Sequence, residues 1–130
     1  MATDHHLLAG RRVLIVGASA GIGAALARAV VAAGGDVTVS ARRGTMLDDL
    51  VADMGAGHAV AGDATDPGDA ARVAAEATHA MGGLDLMVYV AGYGVLQRLI
   101  DTDPEVWADV FNVNVVGANL AAGAAIHHMG

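Results

Sequence analysis

At 130 residues the chain has the length of one domain, large enough to bury roughly two thirds of the surface its unfolded form exposes. A hydrophobic content of 55% with only 3% aromatic residues predicts a core of Ala, Val, Leu and Ile, and a formal charge of −7 argues against nucleic acid or an anionic membrane as partner. The absence of cysteine excludes disulfides and thiol chemistry, no basic segment followed by a long apolar core marks a secretory signal, and the apolar runs at 86–92 and 113–126 read as too short or too polar to span a bilayer, so a cytoplasmic location is the expectation.

In chain order, Val, Leu and Ile run unbroken over residues 13–16, the pattern of a strand buried on both faces. Gly17, Gly21 and Gly23 follow, and an Ala-rich helix is predicted over 22–33, stopped by Gly34 and Gly35. A second strand is read at 37–41, a short amphipathic helix at 45–54 with Leu47, Leu50 and Val51 on its inner face, and a third strand at 58–61. Asp66-Pro67 signals the start of a third helix reaching about Met81, and a fourth strand is read at 84–90. Asp103-Pro104 opens a last helix that continues to the end of the chain. No linker, repeat or low-complexity tract divides the sequence, so residues 1–130 read as a single domain.

Alternating strands and helices imply a parallel sheet with helices on both faces. Right-handed crossovers carry strands one, two and three in one direction and return strand four to the other side of strand one. The expected fold is therefore α/β, a doubly wound sheet of four strands in the order 3-2-1-4, with its switch point between strands one and four. Gly17 to Gly23 on one side and Ala91-Gly92 on the other flank that crevice. Strand, glycine turn and helix in succession aim free N–H groups and the positive end of a helix dipole at one place, the geometry that holds a phosphate. A dinucleotide is the ligand expected there.

Several motifs in the same order resemble the short-chain dehydrogenases/reductases over about residues 10–129. Gly17-Ala18-Ser19-Ala20-Gly21-Ile22-Gly23 is similar to the family's cofactor turn, Asp63 to its acidic residue after strand three, Val90-Ala91-Gly92 to its Asn-Ala-Gly, and Trp107 with Asn114 to its central helix. The resemblance implies a nicotinamide cofactor whose pyrophosphate lies on the backbone around Ser19, Ala20, Gly21 and Ile22. It implies an adenine pocket at Asp63 and Ala64, a ribose facing Ala91 and Gly92, and a catalytic role for Asn114 in holding a relay water. Three of these positions have a purely structural alternative: Ser19 as a turn residue and Asp63 closing an Asx turn, and Asn114 bonding neighbouring backbone.

Cofactor preference is read after strand two. Ala41 stands where the family's NAD-preferring members carry an acidic residue, and Arg42 and Arg43 follow where NADP-preferring members place a base. A charge-assisted bond to a 2′-phosphate is worth about 1.5–3 kcal/mol, so NADP(H) is expected over NAD(H); the alternative is an arginine pair solvated at the strand end.

The family's chemistry also needs a serine on a fifth strand and a Tyr-x-x-x-Lys pair. The chain contains no lysine, its seven positive charges all being arginine, and Tyr93 is followed at that spacing by Gln97. The resemblance thus implies the cofactor-binding half of an oxidoreductase acting on a carbonyl/alcohol pair, cut before strand five, and inactive alone. The alternatives are a non-enzymatic NADP(H)-binding or interaction module completed by a second chain, or an inactive truncated fragment. An open strand-four edge and an uncovered face at Val113, Val116 and Leu120 predict marginal stability and a tendency to self-associate. Apolar Val16, Tyr89 and Val90 stand where the family ties strand one to strand four with polar groups, so packing is expected there instead. The six histidines (His5, His6, His58, His79, His127, His128) show no metal-ligand spacing, and no metal is expected.

Overall fold

The structure is a computed structural model describing residues 6–130. Strands and helices alternate as β1 (Arg12–Val16), α1 (Gly21–Ala32), β2 (Asp36–Ala41), α2 (Gly44–Met54), β3 (His58–Ala61), α3 (Pro67–Met81) and β4 (Leu86–Tyr89). A 3-10 turn (Leu99–Asp101) leads into α4 (Pro104–Phe111), a π turn (Asn112–Val116) and α5 (Gly117–Ile126). His5 lies outside the described residues.

All strands are parallel, in the order β3-β2-β1-β4, as expected, with Ile15 opposite Val39 on one side and Val88 on the other. Successive side chains point to opposite faces, and both faces are covered. Val13, Ile15, Val37 and Val39 pack on Ala27, Val30, Leu47 and Leu50 of α1 and α2. Leu14, Val16 and Val60 pack on Val73 and Ala77 of α3 and Ala121 and Ala125 of α5. Alanines at the helix contacts bring backbone close to the sheet, which is how a core nearly without aromatic residues closes.

Element ends follow local chemistry. Asp66 caps α3 by accepting from the Asp69 N–H at 2.8 Å, with Pro67 at the first helical position. Asp103 holds the same place before α4 without a side-chain cap bond. β4 is shorter than the predicted 84–90 because its ends leave the ladder. At its start the Asp85 carboxylate takes the Arg12 N–H at 2.8 Å, and at its finish both Val90 and Ala91 donate to the Val16 carbonyl, at 2.9 and 3.1 Å.

Arg12 also grips Asp85 through Nε at 3.0 Å and Nη2 at 3.1 Å, and donates from Nη1 to the Gly82 carbonyl at 2.8 Å. These bonds to the guanidinium and backbone N–H of Arg12 hold the Asp85 carboxyl down at about 2. A carboxyl depressed in the folded state adds stability above its unfolded value, about 3.9, and loses it as pH falls toward the folded value. Asp85→Asn is therefore expected to narrow its stability deficit against the parent between about pH 4 and pH 2. Urea unfolding across that range checks it; a deficit independent of pH would show that the pair is not the source.

Thr38 sits in the middle of β2, fully buried, between Leu14 of β1 and His58 of β3. Its Oγ1 has no hydrogen-bond partner among the described residues. Replacing an unsatisfied buried hydroxyl with a methyl removes a desolvation cost, so Thr38→Val is expected to raise stability by about 1 kcal/mol. A lower urea midpoint would mean that the hydroxyl does find a partner.

The last helix departs from expectation. It is not regular from 104 to the chain end: residues 112–116 form a π turn, in which the Gly117 N–H bonds the Asn112 carbonyl five residues back, and α5 finishes at Ile126. Its exposed face also differs. Val113, Val116 and Leu120 are half-buried, whereas Trp107, Phe111 and Val115 face outward together with Leu96, Leu99 and Ile100. Taken from Pro104, the helical run to Ile126 is long and apolar enough to cross a membrane by length and composition, which the expectation for 113–126 alone had excluded. Its Gly117, Ala121 and Ala125 are buried within the fold.

Candidate dinucleotide site

The β1–α1 turn is built by its glycines. Gly17 has φ +98°, in the left-handed region, and an added Cβ would lie 2.6 Å from Ala91 Cα. Gly23 faces a Cβ at 2.5 Å from the Gly17 carbonyl and 2.7 Å from Ala18 Cα, so its missing side chain lets α1 begin directly against the turn. Gly21 needs φ +60° but has open space around it. Gly17 and Ala18 donate to the Ser40 carbonyl at 2.7 and 3.1 Å, which pins the turn to the end of β2.

Those two amides are thereby used. The N–H groups of Ser19, Ala20, Gly21 and Ile22 have no acceptor among the described residues, and the first helical bond is Ala24 to Ala20 at 3.5 Å. The N-cap position is Ala20, whose side chain offers no cap, where Ser, Thr, Asp or Asn would usually close a helix start. No acidic side chain lies in the first turn. Four open donors at the positive end of a helix suit an anion. Ile22 points its side chain into solvent.

The other predicted residues gather at the same end of the sheet. Ala91 touches Gly17 across the β1/β4 switch point, and Gly92 lies against Asn114 Oδ1, which an added Cβ would strike. Arg42 and Arg43 follow β2, both exposed and without a salt bridge among the described residues. Asp63 forms the Asx turn held open as an alternative: Oδ1 accepts from the Thr65 N–H at 2.9 Å and its hydroxyl at 2.7 Å, while Asp69 takes the Asp63 N–H at 2.8 Å. The Thr65 bonds, with a smaller contribution from the Arg42 charge, pull the Asp63 carboxyl below the usual range. Its Oδ2 has no partner among the described residues. Ala64 lies beside it, over a small hollow between sheet and α3 lined by Val16, Val73 and Ala121.

Asn114 has its structural partners too: Nδ2 donates to the Tyr93 and Val110 carbonyls, each at 2.8 Å. Oδ1 accepts nothing among the described residues and remains a free acceptor at Gly92.

Two tyrosines escape a reading by sequence alone. The Tyr89 hydroxyl donates to the Val113 carbonyl in the π turn, so the apolar contact expected around Tyr89 is joined by a polar tie to the helix. Burial, then the charge of Asp63, raises its pKa. Tyr93 bonds Asp109, whose acceptance of that proton raises the Tyr93 pKa. Gly117, which leaves room for the Tyr89 ring, is the one sequence signal for the first pairing. Among the described residues no group of three His, Cys, Asp or Glu side chains is arranged to hold a metal.

Known proteins share this arrangement. A family model described as short chain dehydrogenase matches residues 11–130. Glucose 1-dehydrogenase of Gluconobacter oxydans is 36% identical over 92% of this chain and 47% of its own length. L-rhamnose 1-dehydrogenase (NAD(P)(+)) of a Sphingomonas species is 35% identical over 95% of this chain and 50% of its own. A short chain dehydrogenase of Burkholderia cenocepacia, crystallised in complex with NADP, superposes with a TM-score of 0.88 at 32% identity, over 95% of this chain and 53% of that one. The chain spans about half the length of the curated relatives it matches. Its fold, its switch-point glycines and these matches make it a member of the short-chain dehydrogenase family.

Proposed function

We propose that this chain is the cofactor-binding half of an NADP(H)-dependent oxidoreductase acting on a carbonyl/alcohol pair. The observation that carries the reading is the uncapped start of α1, whose open N–H groups at Ser19, Ala20, Gly21 and Ile22 stand at the switch point beside Ala91 and Gly92. The family's oxidoreductases bind a nicotinamide dinucleotide, and the residues present fit one. Gly17 and Gly23 keep the turn free of side chains, and Ser19 adds a hydroxyl to the pyrophosphate cradle. Gly21 supplies a left-handed step, φ +60°, at the start of α1. Asp63 Oδ2 and Ala64 would line the adenine, and Asn114 Oδ1 would hold a water near the nicotinamide ribose at Gly92. When bound, the nicotinamide supplies or accepts the hydride.

Arg42 and Arg43 set the preference. Ala41 stands in place of an acidic side chain that would repel a 2′-phosphate, and two exposed guanidiniums without a salt bridge among the described residues follow. The Burkholderia cenocepacia neighbour crystallised with NADP is consistent with this choice, and the Sphingomonas relative is named for both cofactors. The chain lacks lysine and hence the Tyr-x-x-x-Lys pair, so 1–130 alone holds cofactor and turns over nothing. The exposed Leu96, Leu99, Ile100, Trp107 and Phe111 favour a second element of the reading: this face is covered by further polypeptide, from a complementing chain or a second copy.

Calorimetric titration of the chain with NADPH and NADH tests the proposal. NADPH is expected to bind, about tenfold or more tighter than NADH, for one added charge-assisted contact. Failure of both to bind, by a chain whose circular dichroism is that of an α/β fold, overturns it.

A further inference from the structure

We propose that Tyr89 is a positioning residue for Asn114, acting through the Val113 carbonyl that its hydroxyl holds. The inference rests on the reading that Asn114 faces the cofactor. Val113 C=O and the Asn114 N–H belong to one planar peptide unit. Fixing the carbonyl therefore fixes the plane from which the Asn114 side chain leaves the helix.

The surrounding geometry is matched to that role. A π turn leaves its carbonyls without the usual partners four residues on, and this one, Asn112–Val116, is centred on Asn114. Tyr89 reaches it from the end of β4, three residues before Gly92. The ring has room only because residue 117 is glycine: an added Cβ there would strike Tyr89 Oη, with Cζ at 3.3 Å and the Ala64 carbonyl at 3.2 Å. With the peptide held, both Asn114 Nδ2 protons go to carbonyls, of Val110 one turn back and of Tyr93 in the β4–α4 connection. The side chain can then present only its acceptor, Oδ1, at Gly92. Tyr89 thus selects which half of the amide faces the crevice: an acceptor that can order a water donor, never a competing N–H.

A ligand-free measurement separates this from the cofactor reading. In the isotope-labelled chain, side-chain amide exchange of Asn114 is compared with that of Asn119, which is exposed and donates no bond among the described residues. The expected result is Asn114 protection about tenfold or more above Asn119, falling about five- to tenfold in Tyr89→Phe while the Gly17 and Ala18 amides keep theirs. Gly117→Ala, run in parallel, displaces the same hydroxyl from the opposite side and carries the same expectation. Adding Tyr89→Phe to Gly117→Ala removes the oxygen that the new methyl strikes, so the double variant recovers stability but not Asn114 protection. Protection no greater than that of Asn119 in the parent, or retained in whichever single variant folds, overturns the proposal. Neither result depends on cofactor binding, and loss of NADPH binding would leave both unchanged.

Discussion

Replacing Gly17 with alanine is expected to lower the unfolding free energy by about 2–6 kcal/mol and abolish cofactor binding. Two costs combine. A φ of +98° is strained for any residue with a side chain, at about 1–3 kcal/mol. The new methyl would also lie 2.6 Å from Ala91 Cα and 2.9 Å from Ala91 Cβ, backbone and side chain of the neighbouring strand end that cannot swing aside. Overpacking of that kind adds about 1–3 kcal/mol. Gly55→Ala supplies the control: its φ is +68° but nothing lies within 4 Å, so only conformational strain of about 1–2 kcal/mol remains. Urea unfolding of the two variants should separate them. Equal losses would mean that the approach of β1 to Ala91 is loose and that the crevice is not held by this contact.

Arg42→Ala carries the second large effect. Removal of one guanidinium from a 2′-phosphate is expected to weaken NADPH binding by about 1.5–3 kcal/mol, ten- to a hundredfold, while NADH changes by less than about twofold. Arg42 is exposed and its nearest charge effects are on Asp63 and Tyr93, so the fold does not rest on it and the unfolding midpoint should stay where it is. Equal weakening of both cofactors would assign Arg42 to general electrostatics and leave the discrimination unexplained. A rise in salt should also weaken the NADPH contact more than the NADH one, because exposed charges are screened within about 8 Å at physiological ionic strength.

Sheet order and the main elements were readable because each rests on local chemistry with a long reach. A continuous Val/Leu/Ile run makes β1 a buried strand, Pro67 and Pro104 mark first helical positions, and right-handed crossovers reduce four parallel strands to few orders, of which 3-2-1-4 is the one observed. Gly55 and Gly82 end α2 and α3 in left-handed caps for the same local reason. The ends of β4 were not readable, because the Asp85 side chain substitutes for a ladder carbonyl at Arg12, a contact 73 residues distant in sequence.

The π turn escaped for a related reason. Nothing in Asn112-Val113-Asn114-Val115-Val116 breaks a helix as Pro would; the turn coincides with long-range contacts, to Tyr89 from a strand and to the Tyr93 carbonyl from a loop. Asp63 shows the intermediate case. An Asx turn was one of two readings the sequence left open for it, while its partner Thr65, its free Oδ2 and the neighbouring charge of Arg42 emerge only in the folded chain, where β2 and β3 lie side by side. The glycine turn was legible as a shape. Which of its amides stay open was not, since that follows from Ser40 taking those of Gly17 and Ala18.

The most direct measurement is an amide-resolved NMR titration of the isotope-labelled chain with NADPH. The backbone amides of Ser19, Ala20, Gly21 and Ile22 are expected to shift first and furthest, downfield as they take up phosphate oxygens, with Ala91 and Gly92 following. Saturable binding that leaves those four amides unmoved would contradict that expectation.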